Sequence, residues 1–293
     1  MKTGLVGLGA MGEPMARNLA RAGHLACVFN RTGPKARRFA RETGVTAFDD
    51  LGALARACDA VILCVSADED VLAVVASLCS GLSSSQLVID CSTVAAETAR
   101  EADRRIKPIG ASFLDCPVSG GTEGARDGTL AIMCGGDEVA FERARPLLES
   151  LGAHVRYLGP VGSGQATKAT NQIMVAGINQ AVSEALAFAA AQDLPLQRVI
   201  DALRHGAAAS WFLDHRGPTM IRDKFPLGFK VDLHCKDLEI CRAMAAHDDV
   251  QLPIVEMTLH HYRRLLDEGH GEEDISSLYR LKKGMFETGN RRG

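Results

Sequence analysis

The stretch Gly7-Leu8-Gly9-Ala10-Met11-Gly12 restricts the fold of this chain more than any other feature. It follows a strand-like apolar run, Gly4 to Leu8, and opens a helical pattern through Met15, Ala16, Leu19 and Ala20. In that context each glycine has a physical role. The first permits a tight turn, the second lets the backbone approach a pyrophosphate, and the third lets helix and strand pack closely, leaving the anion on N–H groups at the helix N-terminus. The alternative is a tight strand-to-helix turn and nothing more.

Beyond this turn, short apolar runs alternate with helical patterns as far as Leu158: Leu25 to Asn30, Ala60 to Val65, Leu87 to Cys91, Phe113 to Cys116, Leu130 to Cys134 and Val155 to Leu158. That rhythm predicts an α/β fold, a Rossmann-type, mostly parallel sheet wrapped by helices. After Gly159-Pro160 the pattern changes to helices alone, over residues 164–192, 195–204, 233–246 and 253–267. The first of these is apolar all round, which predicts a buried helix between domains or subunits. The expected division is a dinucleotide-binding domain over residues 1–161 and an all-α domain over residues 162–293 for substrate and oligomer contacts.

Cofactor choice is read at the end of the second strand. An acidic residue there would accept from a ribose 2′-hydroxyl and repel a 2′-phosphate. This chain has Asn30-Arg31-Thr32, and Asp and Glu are absent from Pro14 to Arg41, while Arg31, Lys35, Arg37, Arg38 and Arg41 cluster beyond the strand. A guanidinium and a hydroxyl suit a dianionic phosphate, so NADP(H) is expected ahead of NAD(H). The competing reading makes most of these cations a solvated helix face.

Two further segments carry candidate chemistry. In Asp115-Cys-Pro-Val-Ser119-Gly120-Gly121-Thr122 a strand runs into a small flexible loop, where glycine N–H groups and the Ser119 hydroxyl could cradle a carboxylate or simply make a turn. In Gly162-Ser-Gly-Gln-Ala-Thr-Lys168-Ala-Thr-Asn171-Gln172, the lysine and the two amides share one helix face. A partly desolvated Lys168 could exchange a proton with a carbonyl or hydroxyl oxygen while the amides orient that group. A lysine snorkelling from the first helical turn fits the same residues.

Composition narrows the partners. The 293 residues carry 33 basic and 36 acidic side chains, which disfavours nucleic acid and membrane surfaces. No secretory signal precedes the first strand and no apolar run approaches the roughly 18 residues of a membrane span, so a cytoplasmic enzyme with reduced, buried thiols is expected. No metal site is expected: His260-His261 reads as a surface pair, since adjacent helical positions diverge by about 100°, and His205, His234 and His247 are isolated. Trp211 is expected in a core, and Asp68-Glu69-Asp70 as a cleft rim or a solvated helix start.

Five segments, GLGAMGEPMARNL, DCSTV from Asp90, FLDCPVSGGTEGARDGTLAIMCGG from Phe113, GSGQATKATNQ and FKVDLHCKDLE from Phe229, stand in an order and spacing similar to the β-hydroxyacid dehydrogenases. The chain resembles that family over nearly its whole length. The resemblance implies Lys168 as the catalytic lysine and Ser119, Gly120 and Gly121 as holders of a substrate carboxylate. It further implies Val65, Ser66 and Thr93 as cofactor contacts and Lys236 as a lysine on the cofactor side of the cleft. Asn171-Gln172 departs from the paired asparagines of many members and matches those reducing tartronate semialdehyde. That makes tartronate semialdehyde the first expected substrate, with 3-hydroxyisobutyrate or methylmalonate semialdehyde, succinic semialdehyde, 3-hydroxypropionate and serine as alternatives. The resemblance also implies a homodimer or homotetramer. A non-catalytic nucleotide-binding or assembly module is the alternative from another class.

Overall fold

The computed structural model describes residues 1–289, and the closing pair Arg291 and Arg292 lies outside the described residues. The chain divides into two compact units, one from Met1 to Lys168 and one from Ala169 onward.

The strands of the first unit are β1 (Thr3–Val6), β2 (Leu25–Phe29), β3 (Thr46–Ala47), β4 (Ala60–Leu63), β5 (Leu87–Asp90), β6 (Ser112–Asp115), β7 (Val118–Ser119), β8 (Ala131–Gly136) and β9 (His154–Gly159). Its helices are α1 (Gly12–Arg21), α2 (Gly33–Thr43), α3 (Leu51–Arg56), α4 (Asp68–Leu78), α5 (Ala96–Ile106), α6 (Gly121–Asp127) and α7 (Glu138–Glu149). The sheet order is β3-β2-β1-β4-β5-β6-β8-β7, with β9 beside β8. From β3 to β6 every pairing is parallel, the doubly wound arrangement in which ligands bind where strand order reverses. That reversal lies between β1 and β4.

Alternation of side chains builds a core on each sheet face. Leu5, Ile62, Ile89 and Leu114 pack with Met15, Leu19 and Phe39 on one side, while Val6, Leu63, Val88 and Phe113 pack with Leu54, Val75 and Ile106 on the other. Both faces are covered by helices, hence the near-continuous apolar strands.

Two short strands, β3 and β7, have no counterpart in the sequence reading, since two residues carry no periodicity. β7 corrects the expected flexible loop at 117–122: Val118 and Ser119 pair antiparallel with Ile132 and Ala131, and Gly121 already begins α6. β8 also runs antiparallel to β6.

Helix α8 (Ser163–Ala191) contains the boundary between the units. The second unit continues with α9 (Leu196–Leu203), α10 (Trp211–Met220), α11 (Val231–Ala246), α12 (Pro253–Asp267) and α13 (Leu278–Gly289). Its described strand-like pairing is one isolated bridge, Lys230 with Asp274. Its core gathers Leu186, Leu213, Met220, Val231, Leu238, Leu259, Tyr262 and Leu278. α10 escaped the sequence reading because Gly217-Pro218 reads as a breaker, yet Ser210 caps it by accepting from Leu213 N–H.

Several expectations need correction. Within the single chain α8 leaves Met174 62% and Phe188 54% exposed, and its buried side is not apolar but carries Asn179, Gln180 and Ser183. Asn179 donates to Tyr262 Oη and Ile275 O, so the inward face is polar and hydrogen-bonded. By length and composition α8 is long and apolar enough to cross a membrane, a test that a core helix also passes. Trp211 is 55% exposed, stacked on His215 at 4.3 Å instead of filling a core. His261 is buried, its Nδ1 3.0 Å from Gln180 Nε2, so only His260 of that pair is on the surface. Burial, reinforced by Lys282, pulls the His261 imidazole down to about 4.

Candidate active site

Across the sheet, the last residues of β2, β1, β4, β5 and β6 align: Phe29 beside Val6, Val6 beside Leu63, Leu63 beside Asp90, and Asp90 beside Asp115. The segments singled out from sequence therefore leave one edge together: the glycine turn, Asn30-Arg31-Thr32, Val65-Ser66, Thr93 and the approach to Ser119. This is the carboxyl edge, where open α/β sheets bind ligands.

The three glycines of the turn differ in what constrains them. Gly7 adopts φ +99°, and a Cβ there would lie 2.2 Å from Cys64 O. A Cβ on Gly12 would lie 1.9 Å from Gly7 O, so both positions exclude a side chain for internal reasons. Gly9 is exposed, and a Cβ there would meet nothing within 4 Å. Its bareness serves nothing in the chain itself but leaves room for a close-lying group, beside a helix N-terminus that no side chain caps. The turn thus fits a dinucleotide pyrophosphate, with Leu8, Ala10 and Met11 between the glycines. Asn30 holds it in place, accepting from Leu8 N–H at 2.9 Å and donating to Thr32 O at 3.2 Å.

The basic cluster is less open than its sequence indicates. Lys35 and Arg38 face Glu13, Arg38 also faces Glu42, and Arg37 faces Asp49. Arg31 is 86% exposed and meets Asp70 at 3.0 Å, so it is more open to solvent than Lys35, Arg37 or Arg38. Asp68, read as a rim or a solvated start, instead accepts from Ala95 N–H and Thr98 Oγ1 and anchors the entry to α5.

A polar network runs beneath the same edge. Val65 N–H donates to Ser92 Oγ, and Ser92 N–H donates to Asp90 Oδ1. Gln165 Nε2 donates to Ser92 O at 2.9 Å, while Gln165 Oε1 accepts from Val94 N–H at 3.2 Å. Asp115 accepts from Gly162 N–H and Gln165 N–H, each at 2.8 Å, fixing the start of α8. Burial pushes the Asp115 carboxyl up against these N–H groups, and burial raises Asp90 to about 6, helped by Asp115 and Asp68. Lys168 sits three residues beyond Gln165, just under one helical turn, and is 6% exposed. Ser119 is partly buried, and Gly120 and Gly121 both take positive φ, +133° and +62°.

In the second unit, Asn171 Nδ2 donates to Gln172 Oε1 at 2.8 Å, and Gln172 Nε2 donates to Asp237 Oδ2 at 2.7 Å. Lys236 Nζ lies 3.0 Å from Asp237 Oδ1. Gln172 is thus committed to protein partners at both ends of its amide. His234 is buried between Tyr262 Oη at 2.9 Å and Gln172 O at 3.3 Å. Sequence reasoning missed Asp115, Gln165 and Asp237 as organising groups, because their partners lie far away along the chain.

Comparison with known proteins agrees with this geometry. Residues 2–159 match the NAD binding domain of 6-phosphogluconate dehydrogenase, and residues 162–282 match the NAD-binding domain of NADP-dependent 3-hydroxyisobutyrate dehydrogenase. The chain is 38% identical to the 2-hydroxy-3-oxopropionate reductase of Escherichia coli, covering 95% of this chain and 96% of that one. It is 32% identical to the 3-hydroxyisobutyrate dehydrogenase of Pseudomonas aeruginosa, covering 95% and 97%. A solved Mycobacterium tuberculosis 3-hydroxyisobutyrate dehydrogenase with L-serine superposes with a TM-score of 0.88 at 30% identity, over 96% of this chain and 98% of that one. Glycine turn, strand-end loops and two matched halves make this chain a member of the β-hydroxyacid dehydrogenase family, an NAD(P)-dependent dehydrogenase acting on hydroxyl groups of small molecules.

Proposed function

We propose that the chain interconverts a short semialdehyde acid and its hydroxy acid, with tartronate semialdehyde as first substrate and NADP(H) as preferred cofactor. The observation that carries the mechanism is Lys168, buried less than one turn beyond the clamp that Asp115 and Gln165 place on the start of α8. Bound nicotinamide supplies the hydride in one direction and takes it in the other. As an ammonium, Lys168 gives its proton to the carbonyl oxygen; as an amine, it takes one from the hydroxyl. The Ser119 hydroxyl and the N–H groups of Gly120 and Gly121 hold the substrate carboxylate. Asn171 rather than Gln172 orients the reacting oxygen, since Gln172 is bonded at both ends. Gly7 to Gly12 hold the pyrophosphate, Asn30, Arg31 and Thr32 the adenosine ribose end, and Val65, Ser66, Thr93 and Lys236 the remaining cofactor contacts.

The likeness to the E. coli 2-hydroxy-3-oxopropionate reductase supports the substrate, and the Asn171-Gln172 pair adds to it. Arg31, an open cation just beyond the end of β2, supports a 2′-phosphate. The L-serine that accompanies the mycobacterial 3-hydroxyisobutyrate dehydrogenase favours a second reading, oxidation of serine or 3-hydroxyisobutyrate.

Rates with NADPH and NADH against tartronate, methylmalonate and succinic semialdehydes and L-serine, for native protein and Lys168→Ala, test the proposal. Native turnover is expected to be fastest with NADPH and tartronate semialdehyde and to fall about 10²- to 10⁴-fold in the variant, with cofactor binding retained. Equal or better rates with NADH would remove the 2′-phosphate reading. Unaltered turnover in Lys168→Ala would remove the mechanism and favour a different catalytic group, and no turnover by the native chain with any of the four would remove the substrate reading.

We extend the proposal to a homodimer or homotetramer, supported by the exposed Met174 and Phe188 of α8. Light scattering that finds a monomer at micromolar concentration contradicts it.

A further inference from the structure

Gln165 is 1% exposed, and three of its polar groups are spent on two different parts of the sheet edge. Its backbone N–H goes to Asp115 Oδ2 at the end of β6. Its side-chain amide goes to the segment after β5, donating to Ser92 O and accepting from Val94 N–H. These two bonds fix the amide's orientation, because a flipped group would set NH₂ against N–H and oxygen against oxygen. Thr93 is therefore held on both sides by one side chain. The segment is tied onward to β4, since Ser92 Oγ accepts from Val65 N–H. Only an amide serves here, because neither a carboxylate nor a hydrocarbon of the same length makes both bonds.

We propose that Gln165 is a positioning residue for the reaction, a strut that sets the first turn of α8, and with it the Lys168 ammonium, relative to Ser92-Thr93-Val94. The inference rests on the reading of Lys168 as the proton-transfer group and of Thr93 as a cofactor contact. A buried amide used only for folding would contribute stability and leave the chemical step alone. A strut between the proton donor and the segment that seats the cofactor acts on kcat, where a misplacement of about 1 Å costs on the order of 100-fold.

Two variants of the full chain, Gln165→Glu and Gln165→Met, both keep the length of the side chain. With NADPH and the semialdehyde that native protein turns over fastest, kcat is expected to fall about 10- to 100-fold in each. Substrate KM and the NADPH Kd from fluorescence titration are expected to stay within about threefold. Hydrogen exchange at Val94 N–H is expected to quicken in Gln165→Met, a readout independent of turnover. In Gln165→Glu the introduced carboxyl accepts from Val94 N–H in either state but can donate to Ser92 O only when protonated. Its activity relative to native protein at the same pH is therefore expected to recover as pH falls through that carboxyl's titration.

A kcat within threefold of native in both variants overturns the inference while leaving Lys168 in place, provided Lys168→Ala is inactive. Full turnover in Lys168→Ala overturns both together. Failure of both Gln165 variants to fold, or a loss confined to cofactor Kd at unchanged kcat, also overturns it, by showing a folding or binding role instead.

Discussion

Asp115 in the first unit and Asp274 in the second solve the same local problem with different surroundings. Each is buried, and each gathers main-chain N–H groups from a distant segment. Asp115 accepts from Gly162 and Gln165; Asp274 accepts from Gly228 and Phe229 through Oδ2 and from Ser276 N–H and Oγ through Oδ1. Asp274 also has Arg216 at 3.6 Å, a guanidinium itself buried and stacked over Trp211. Asp115 relies on main-chain dipoles, which leave burial free to raise its carboxyl. A carboxylate with a buried cation is a scaffold element, costly to disturb. Asp115, held by N–H groups alone, fixes the start of the helix that carries Lys168.

The larger loss is expected in the second unit. Asp274→Ala leaves Arg216 buried without its carboxylate and several N–H groups unsatisfied, so unfolding free energy is expected to drop by about 3–5 kcal/mol in denaturant titration. Asp115→Asn keeps one good acceptor and is expected to cost only about 1–3 kcal/mol. Equal losses would show that the cation on Asp274 contributes nothing distinctive.

Asp90 extends the contrast to a carboxyl with still fewer partners. Its Oδ1 accepts from Ser92 N–H, while Oδ2 is buried with no hydrogen-bond partner among the described residues. Burial lifts this carboxyl from its ordinary 3.8 to about 6. The folded state therefore holds a proton that the unfolded chain has released between about pH 4 and pH 6. Stability falls as pH rises through that window, and the full penalty applies above it. At about 1.4 kcal/mol per pH unit, the penalty reaches up to ~3 kcal/mol. Asp90→Asn is expected to raise stability at pH 7–8 by up to that amount, with the gain vanishing near pH 4. Denaturant melts across this range that show a pH-independent difference would mean Asp90 finds a charge partner after all.

Much of the carboxyl edge of the sheet was legible before the fold. The glycine turn announces itself because Gly12 is set against Gly7 within one strand–turn–helix unit, and folding adds only the contact of Gly7 with Cys64 at the neighbouring strand end. The Lys168 segment stands out for a similar reason, one face of one helix. The middle of the site was not legible. Gln165 meets Ser92 and Val94 more than seventy positions earlier, and Gln172 meets Asp237 across 65. Solitary residues misled for the same reason. Trp211 and His261 carry no pattern that says which way their helix faces, and one turned outward while the other turned in.

The charge around Arg31 separates what neighbours along the chain dictate from what folding adds. From Pro14 to Arg41 the chain contains no acid, and that absence, like the glycine spacing and the alternation of the strands, is a property of neighbours along the backbone. Glu13, Glu42, Asp49 and Asp70 nevertheless stand opposite these cations, supplied from just outside the stretch and, for Asp70, from the start of α4. Local sterics and periodicity act over a few residues, so the parallel sheet, its glycine turn and the helix bearing Lys168 follow from residue order alone. Which polar groups are buried, paired or left open depends on segments that meet only when the sheet aligns its strand ends, and those pairings belong to the folded chain.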